Sequence, residues 1–473
     1  MAAHYERLSA LDATFLQLDD ASSHMHVAAA LLFDAAPLRA PHGGLDMERI
    51  RAYVDSRLPH IPRYRQRLAY LPVERHPVWV DDDRFNLFYH VRHSALPKPG
   101  EERQLKRLCG RILSQKLDFT KPLWEFWVIE GLQGDRFALV VKGHHAMVDG
   151  IAGMDLLTVL LSPAPMATFD PPPPWVPRPA PSPAQLALGE LWRRGTGAIG
   201  AIRAGIDAAG APGETLRALR EAAMGMLEAF QGGTVSASST PINPALIGPH
   251  RRFDWLRFPL DEAKEVKRQL GGTVNDVVLA TVAGAMRRFL ERRGVATHGL
   301  DCRALVPVSV RTPAQRGLAG NRVANFIAPL PVDEADPGRR YGRVVAVTMA
   351  QKRSRVVQGA ELVEELANWT ATTWLSRLMR FSTRRRPYNL VVTNIPGPQV
   401  PLYLLEAPLR EIYPMVPLFE NQAVGVALFS YAGGLYWGLN ADWDAVPDLH
   451  DFATVLAEEF DGLCHLARGS SAA

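Results

Sequence analysis

The stretch KGHHAMVDGIAG, Lys142 to Gly153, decides how the rest of the chain is read. Two histidines stand side by side, an aspartate follows four residues after the second, and a glycine comes next. Upstream, LWEFWVIEGL and RFALVVKG bracket a glycine turn and predict two strands in a hairpin. Downstream, GIAGMDLLTVLL predicts a helix. The double histidine therefore falls at the C-terminal end of a strand, where successive side chains point to opposite faces. One histidine is expected to face a channel and the other to pack.

That geometry weighs three chemistries. Adjacent histidines rarely chelate one ion, and His145 with Asp149 alone supplies too few ligands, so no metal is expected. A turn holding two satisfied core histidines is the structural alternative. The functional reading is that one of His144 and His145 is a base and the other a structural residue. A neutral imidazole titrating near neutrality suits removal of a proton from an alcohol, typically worth ~10²–10⁴-fold in rate. Asp149, next to Gly150, is expected to pair with an arginine or cap the following helix rather than react. The loop has no Gly-x-Ser-x-Gly elbow and no cysteine beside it, which favours direct transfer over a covalent enzyme intermediate.

Composition sets the bounds. The chain has 473 residues, enough for two or three domains with sizeable cores. A net charge of +4, with a pI near 9.0, is too mild to argue for nucleic acid. It suits a weak attraction to an anionic membrane face or to phosphorylated substrates. Cys109, Cys302 and Cys464 are odd in number and far apart, so no disulfide framework is expected and a reducing compartment is. The opening residues carry acids early and lack a continuous apolar core, which predicts no signal peptide. No apolar run reaches the ~18 residues of a membrane span.

Two halves of alternating strands and helices emerge. In residues 1–161, MHVAAALLF (Met25 to Phe33) predicts a buried strand, and Asp46 to Leu58 and Glu102 to Leu117 predict amphipathic helices. Residues 162–246 form a crossover. It holds ten prolines between Pro163 and Pro183, then Ala- and Arg-rich helical spacing over 184–230, whose apolar face packs on the protein or lies on a bilayer. In residues 247–473, Thr273 caps a long helix with Asp276 in capping-box position, and Gly294 closes it. RALVPVSVR (Arg303 to Arg311), NLVVTN (Asn389 to Asn394), a hairpin around Gly433 and Gly434, and a closing helix complete this half. The basic HRRF segment at Arg251 and Arg252 could meet phosphates, and a solvated strand start explains it as well.

The pattern HHAMVDG resembles the CoA-dependent acyltransferase superfamily. Its neighbours are more specific. LSALDATFLQLDD, Pro122-Leu123-Trp124, His144 to Gly150, Asn275-Asp276 and Asn394-Ile395-Pro396-Gly397-Pro398 occur in the order of the bacterial wax ester synthase/diacylglycerol acyltransferase family. The resemblance runs from about Leu8 to Leu466, loosening between Pro163 and Thr240. It implies a two-lobed α/β fold of the chloramphenicol-acetyltransferase type with a substrate tunnel between the lobes. It implies His145 as general base, His144 as structural, Asp149 and Gly150 as shapers of the loop, and Arg311 as the partner of Asp149. Asn275, near the positive end of a helix dipole, is the candidate for holding the oxyanion, with Asp276 as its cap. Pro122-Leu123-Trp124 is read as scaffold. The implied co-substrate is acyl-CoA, with no bound cofactor, and the implied acceptor is diacylglycerol. A long-chain alcohol, another acceptor, or lipid binding without catalysis are the alternatives. The implied location is cytoplasmic, peripheral on the inner membrane face or on lipid droplets.

Overall fold

The computed structural model describes residues 4–41, 43–72, 74–147, 152–190, 192, 236–309, 323–352 and 385–470. Asp149, Gly150, Arg311 and nearly all of the helical reading over 184–230 lie outside them. The first half runs β1 (Glu6–Arg7), α1 (Ala10–Leu18), β2 (His26–Asp34), α2 (Met47–Arg57), β3 (Gln66–Tyr70), β4 (Pro77–Asp81), α3 (Leu87–His90), β5 (Val91–Ala95), α4 (Glu102–Ser114), β6 (Trp124–Leu132), β7 (Arg136–His144) and α5 (Ala152–Leu160). The second half runs β8 (Arg251–Pro259), α6 (Leu260–Leu270), α7 (Val274–Arg292), β9 (Cys302–Ser309), β10 (Val323–Leu330), α8 (Pro337–Lys352), β11 (Leu390–Pro396), β12 (Tyr403–Leu404), β13 (Ala407–Met415), β14 (Val424–Tyr431), β15 (Gly434–Asp442) and α9 (Leu449–Ser470).

Two six-stranded mixed sheets form the lobes, in the orders β12-β13-β2-β7-β6-β5 and β10-β9-β11-β14-β15-β8. A small sheet, β1-β4-β3, flanks the first lobe. Strands β14 and β15 are buried along their whole length, which is why they read as continuous apolar runs rather than alternating ones. The predicted helix starts are present. Asp46 accepts the Arg49 N–H at the start of α2. Thr273 and Asp276 form a reciprocal capping box on α7.

The chain crosses between lobes once in a way that its linear order conceals. β12 and β13 come from the second half but join the first-lobe sheet, where β13 pairs antiparallel with β2. β13 also packs on β14 and β15. The approach is close: a Cβ on Gly438 would fall 1.7 Å from the Pro414 carbonyl oxygen, so no other residue fits there without movement. Trp255 of β8 stacks on Tyr413 of β13 at 4.6 Å. Helix α4 of the first lobe lies against β8 of the second, and the Ser114 hydroxyl accepts the Arg251 N–H at 2.8 Å. The lobes are thus fastened along one seam, and β7 ends beside it.

Candidate active site

The double histidine is held by the backbone on both sides. His144 is the last residue of β7 and lies opposite His26 of β2. Its N–H donates to the Leu123 carbonyl at 2.9 Å, and the His145 N–H donates to the Met25 carbonyl at 2.8 Å. Pro122-Leu123-Trp124 therefore acts through a backbone oxygen. Trp124 itself is buried, donates its indole N–H to the Tyr64 carbonyl at 2.7 Å and stacks on His90 at 4.5 Å.

The imidazoles part company at the strand end. His145 begins a short 3₁₀ turn, is half-buried, and stacks on Phe15 of α1 with ring centroids 3.8 Å apart. Its Nδ1 is buried and has no hydrogen-bond partner among the described residues. Burial, reinforced by neighbouring His144, pushes its pKa down to about 4. This departs from the near-neutral titration expected of the base: burial of the ring, with His144 beside it, disfavours its cation. At pH 7 the ring is the free base.

His144 is wholly buried. Its Nδ1 accepts the Ala146 N–H at 3.1 Å, so the proton resides on Nε2. That Nε2 lies 3.4 Å from Asp19 Oδ2, a contact that is electrostatic rather than a well-formed hydrogen bond. Burial lowers the His144 pKa despite the carboxylate. Burial alone would raise that of Asp19, but His144, Lys116 and the Met25 N–H together hold it below the ordinary carboxylate value.

More buried polar groups lie beneath. Lys142 is fully buried in β7 and donates from Nζ to the Ile112 carbonyl at 3.0 Å and to the Gln115 carbonyl, closing the C-terminus of α4. Burial pushes its pKa down to about 8. Arg251 is also buried, so the solvated alternative does not hold for it. It reaches the Ser22 carbonyl in the first lobe and the Gly248 carbonyl at 2.6 Å in the second. Its own carbonyl lies over Gly110 of α4, where a Cβ would fall 2.7 Å away, so the helix and strand must touch there.

Asn275 sits in the first turn of α7 and is half-buried. Among the described residues, no hydrogen bond, ion pair or ring contact links it to His145. Asp276 is fully engaged: Oδ2 accepts the Thr273 N–H at 2.7 Å and Oδ1 accepts the Thr348 hydroxyl at 2.6 Å. That is a cap and a brace to α8. A cavity of about 570 Å³ opens elsewhere, at the Arg136 end of β7, lined by Arg257, Tyr403, Arg410 and Tyr436 among others.

Sequence reasoning missed Phe15, Asp19, Met25 and Lys142. Two of them carried a signal. Asp19 caps the C-terminus of α1, where the helix dipole disfavours an acid, so another task is implied. Lys142 interrupts an otherwise apolar strand.

A family profile described as the wax ester synthase/diacylglycerol acyltransferase catalytic domain matches residues 8–278, and the WS/DGAT C-terminal domain matches residues 319–463. A Mycobacterium tuberculosis protein named as a diacylglycerol O-acyltransferase is 34% identical over 468 residues, covering 94% of this chain and 88% of its own. The solved wax ester synthase/diacylglycerol acyltransferase from Marinobacter aquaeolei VT8 superposes with a TM-score of 0.68 at 26% identity, covering 98% of this chain and 99% of that one. The starter condensation domain of rhizomide synthetase, solved with C8-CoA, shares the fold alone, at a TM-score of 0.58 and 11% identity over 98% of this chain and 94% of its own. The fold is that of the two-lobed, chloramphenicol-acetyltransferase-like acyltransferases. Within that class the chain belongs to the wax ester synthase/diacylglycerol acyltransferase family, and it is an acyl-CoA-dependent O-acyltransferase.

Proposed function

We propose that His145 is the general base of a direct transfer from acyl-CoA to diacylglycerol. The observation that carries the reading is the posture of His145. It is neutral at pH 7, pinned at its backbone by Met25 and flat against Phe15, with its Nδ1 buried, so the proposal gives the chemistry to Nε2. Nε2 takes the proton of the acceptor hydroxyl as its oxygen attacks the thioester carbonyl. The C–S bond breaks as the tetrahedral intermediate collapses, and His145 returns the proton to the CoA thiolate. A base titrating near 4 cannot generate free alkoxide. Proton transfer therefore accompanies C–O bond formation, and the growing oxyanion stabilises the imidazolium beside it. Asn275 and the N–H groups at the start of α7 are the proposed oxyanion donors, and Asp149 with Arg311 the proposed brace of the loop.

Diacylglycerol is preferred as acceptor because the M. tuberculosis relative is named for it; the Marinobacter relative is named also for wax ester synthesis, which keeps a long-chain alcohol as the second acceptor. No helix of the described residues is long and apolar enough to cross a membrane. Attachment at a membrane or droplet surface is instead supported by Val176, 78% exposed, and Trp192, 77% exposed, on the crossover. One assay tests the whole reading. Palmitoyl-CoA is supplied with diacylglycerol or hexadecanol in phospholipid vesicles, CoA release is followed, and the vesicles are then floated. Acceptor-dependent release, lost by about 10³-fold or more in His145→Ala, is the expected result, with protein in the vesicle fraction. Release that survives in that variant would sink the base assignment. Faster release with hexadecanol would reassign the acceptor, and protein left at the bottom of the gradient would remove the surface attachment.

A further inference from the structure

We propose that Asp19 is a positioning residue of the transfer centre, its carboxylate holding both histidines at once: His144 through imidazole Nε2, and His145 through the Met25 peptide. The inference rests on His145 being the proton acceptor. Asp19 Oδ2 lies 3.4 Å from His144 Nε2 and accepts the Met25 N–H at 3.0 Å. The carbonyl of the same Met25 accepts the His145 N–H at 2.8 Å. One oxygen thus meets the first imidazole directly and the second histidine through one residue.

Three further observations separate this from ordinary packing. The Asp19 side chain has no exposed surface, and a carboxylate is not kept there without partners that need it. Its Oδ1 is met by the Lys116 ammonium at 2.5 Å, so Asp19 is charged beside a neutral ring. The Ala146 N–H on His144 Nδ1 places the proton on the other ring nitrogen, which lies 3.4 Å from the carboxylate, an electrostatic contact. Asp19 also ends α1, the helix that presents Phe15 to His145. Strand end, loop and helix are therefore referred to a single group. A base misplaced by about 1 Å loses on the order of 10²-fold, which sets the scale of the effect.

Asp19→Asn keeps the volume and an oxygen for the Met25 N–H but removes the charge facing His144. It is expected to lower kcat by about 10- to 100-fold and to change the KM for palmitoyl-CoA by less than about threefold. Asp19→Ala, which loses both contacts, is expected to fall further. If the residue only packs, Asp19→Asn retains wild-type kcat, and the proposal is overturned. Combining Asp19→Asn with His144→Gln should cost no more than the worse single change, whereas multiplying losses would show that Asp19 does not act through His144. Protein labelled with ¹⁵N-histidine supplies a readout that requires no variant to fold. His144 is expected as the Nε2–H tautomer, and finding Nδ1–H overturns the geometry. His145→Ala runs alongside: an active His145→Ala removes the base and this proposal with it, while an inactive one beside a wild-type-like Asp19→Asn removes Asp19 alone.

Discussion

At its Arg136 end, β7 stands among charges in the open; at its His144 end, eight residues on and roughly 27 Å away, it stands among charges out of water. At the first end Arg410 pairs with Asp34, with side chains 57% and 33% exposed. Arg136 lies 3.8 Å from Glu411, and Arg257 covers the Tyr436 ring at 5.5 Å beside the cavity. At the second end, Asp19, His26, Lys142 and His144 are enclosed by α1, α4 and the loop into β2. The same strand carries both, so the difference is one of solvent. Water screens the first set and leaves its pairs weak. Its removal makes each contact at the second end consequential and moves the protonation equilibria of the histidines and Lys142.

The largest effect on stability that follows from the contrast belongs to Lys142. Lys142→Ala leaves a cavity under β7 and two C-terminal carbonyls of α4 without their donor. Its expected cost is about 3 kcal/mol, combining lost charge-assisted hydrogen bonds with lost packing. Urea unfolding of the two proteins measures it; a midpoint unchanged at equal slope would show that the buried end is not under the constraint inferred here.

A second effect separates stability from catalysis along the pH axis. His24, His26, His144 and His145 all have folded pKa values lowered by burial. Below pH ~6.5 the unfolded chain binds protons that the folded chain refuses, so stability is full above that pH and falls as pH drops through it toward the folded values. Activity follows a different limb. The active form of His145 is the neutral ring, which persists down to about 4. Melting temperature is therefore expected to start falling below pH ~6.5, while kcat/KM of enzyme still folded stays flat from pH 8 to pH ~5. A kcat/KM that halves near pH 6.5 would mean that His145 is solvated in the free enzyme.

The contrast also explains what could be read from the sequence. The strands, the capped helices and the HHAMVDG strand end are local patterns, and β7, α2 and α7 form where periodicity and caps place them. The family resemblance ran from about Leu8 to Leu466, loosening between Pro163 and Thr240. The buried end was legible only in part, because its partners are remote in sequence. Asp19 is 125 positions from His144, as the residue numbers give, and Arg251 is 229 from Ser22. A lone Asp, Met or Arg announces no such meeting. Nor did the near-neutral titration expected of His145 allow for enclosure by Phe15 and Met25, which only packing supplies. The placing of β13 in the first-lobe sheet escaped the linear reading for the same reason: the Gly438–Pro414 approach that allows it is a tertiary fact.

The smallest expected effect lies at the open end. Arg410 makes a forked contact to Asp34, with Nη2 to Oδ2 at 2.6 Å and Nε to Oδ1 at 3.1 Å. Its surroundings decide its worth. Both side chains remain hydrated, the guanidinium loses rotamer freedom when held, and salt screens the attraction. Arg410→Ala is therefore expected to cost no more than about 0.5 kcal/mol in urea unfolding, and less in 0.5 M salt, with unchanged CoA release from palmitoyl-CoA. A cost as large as that of Lys142→Ala would mean that exposure does not govern the worth of these pairs.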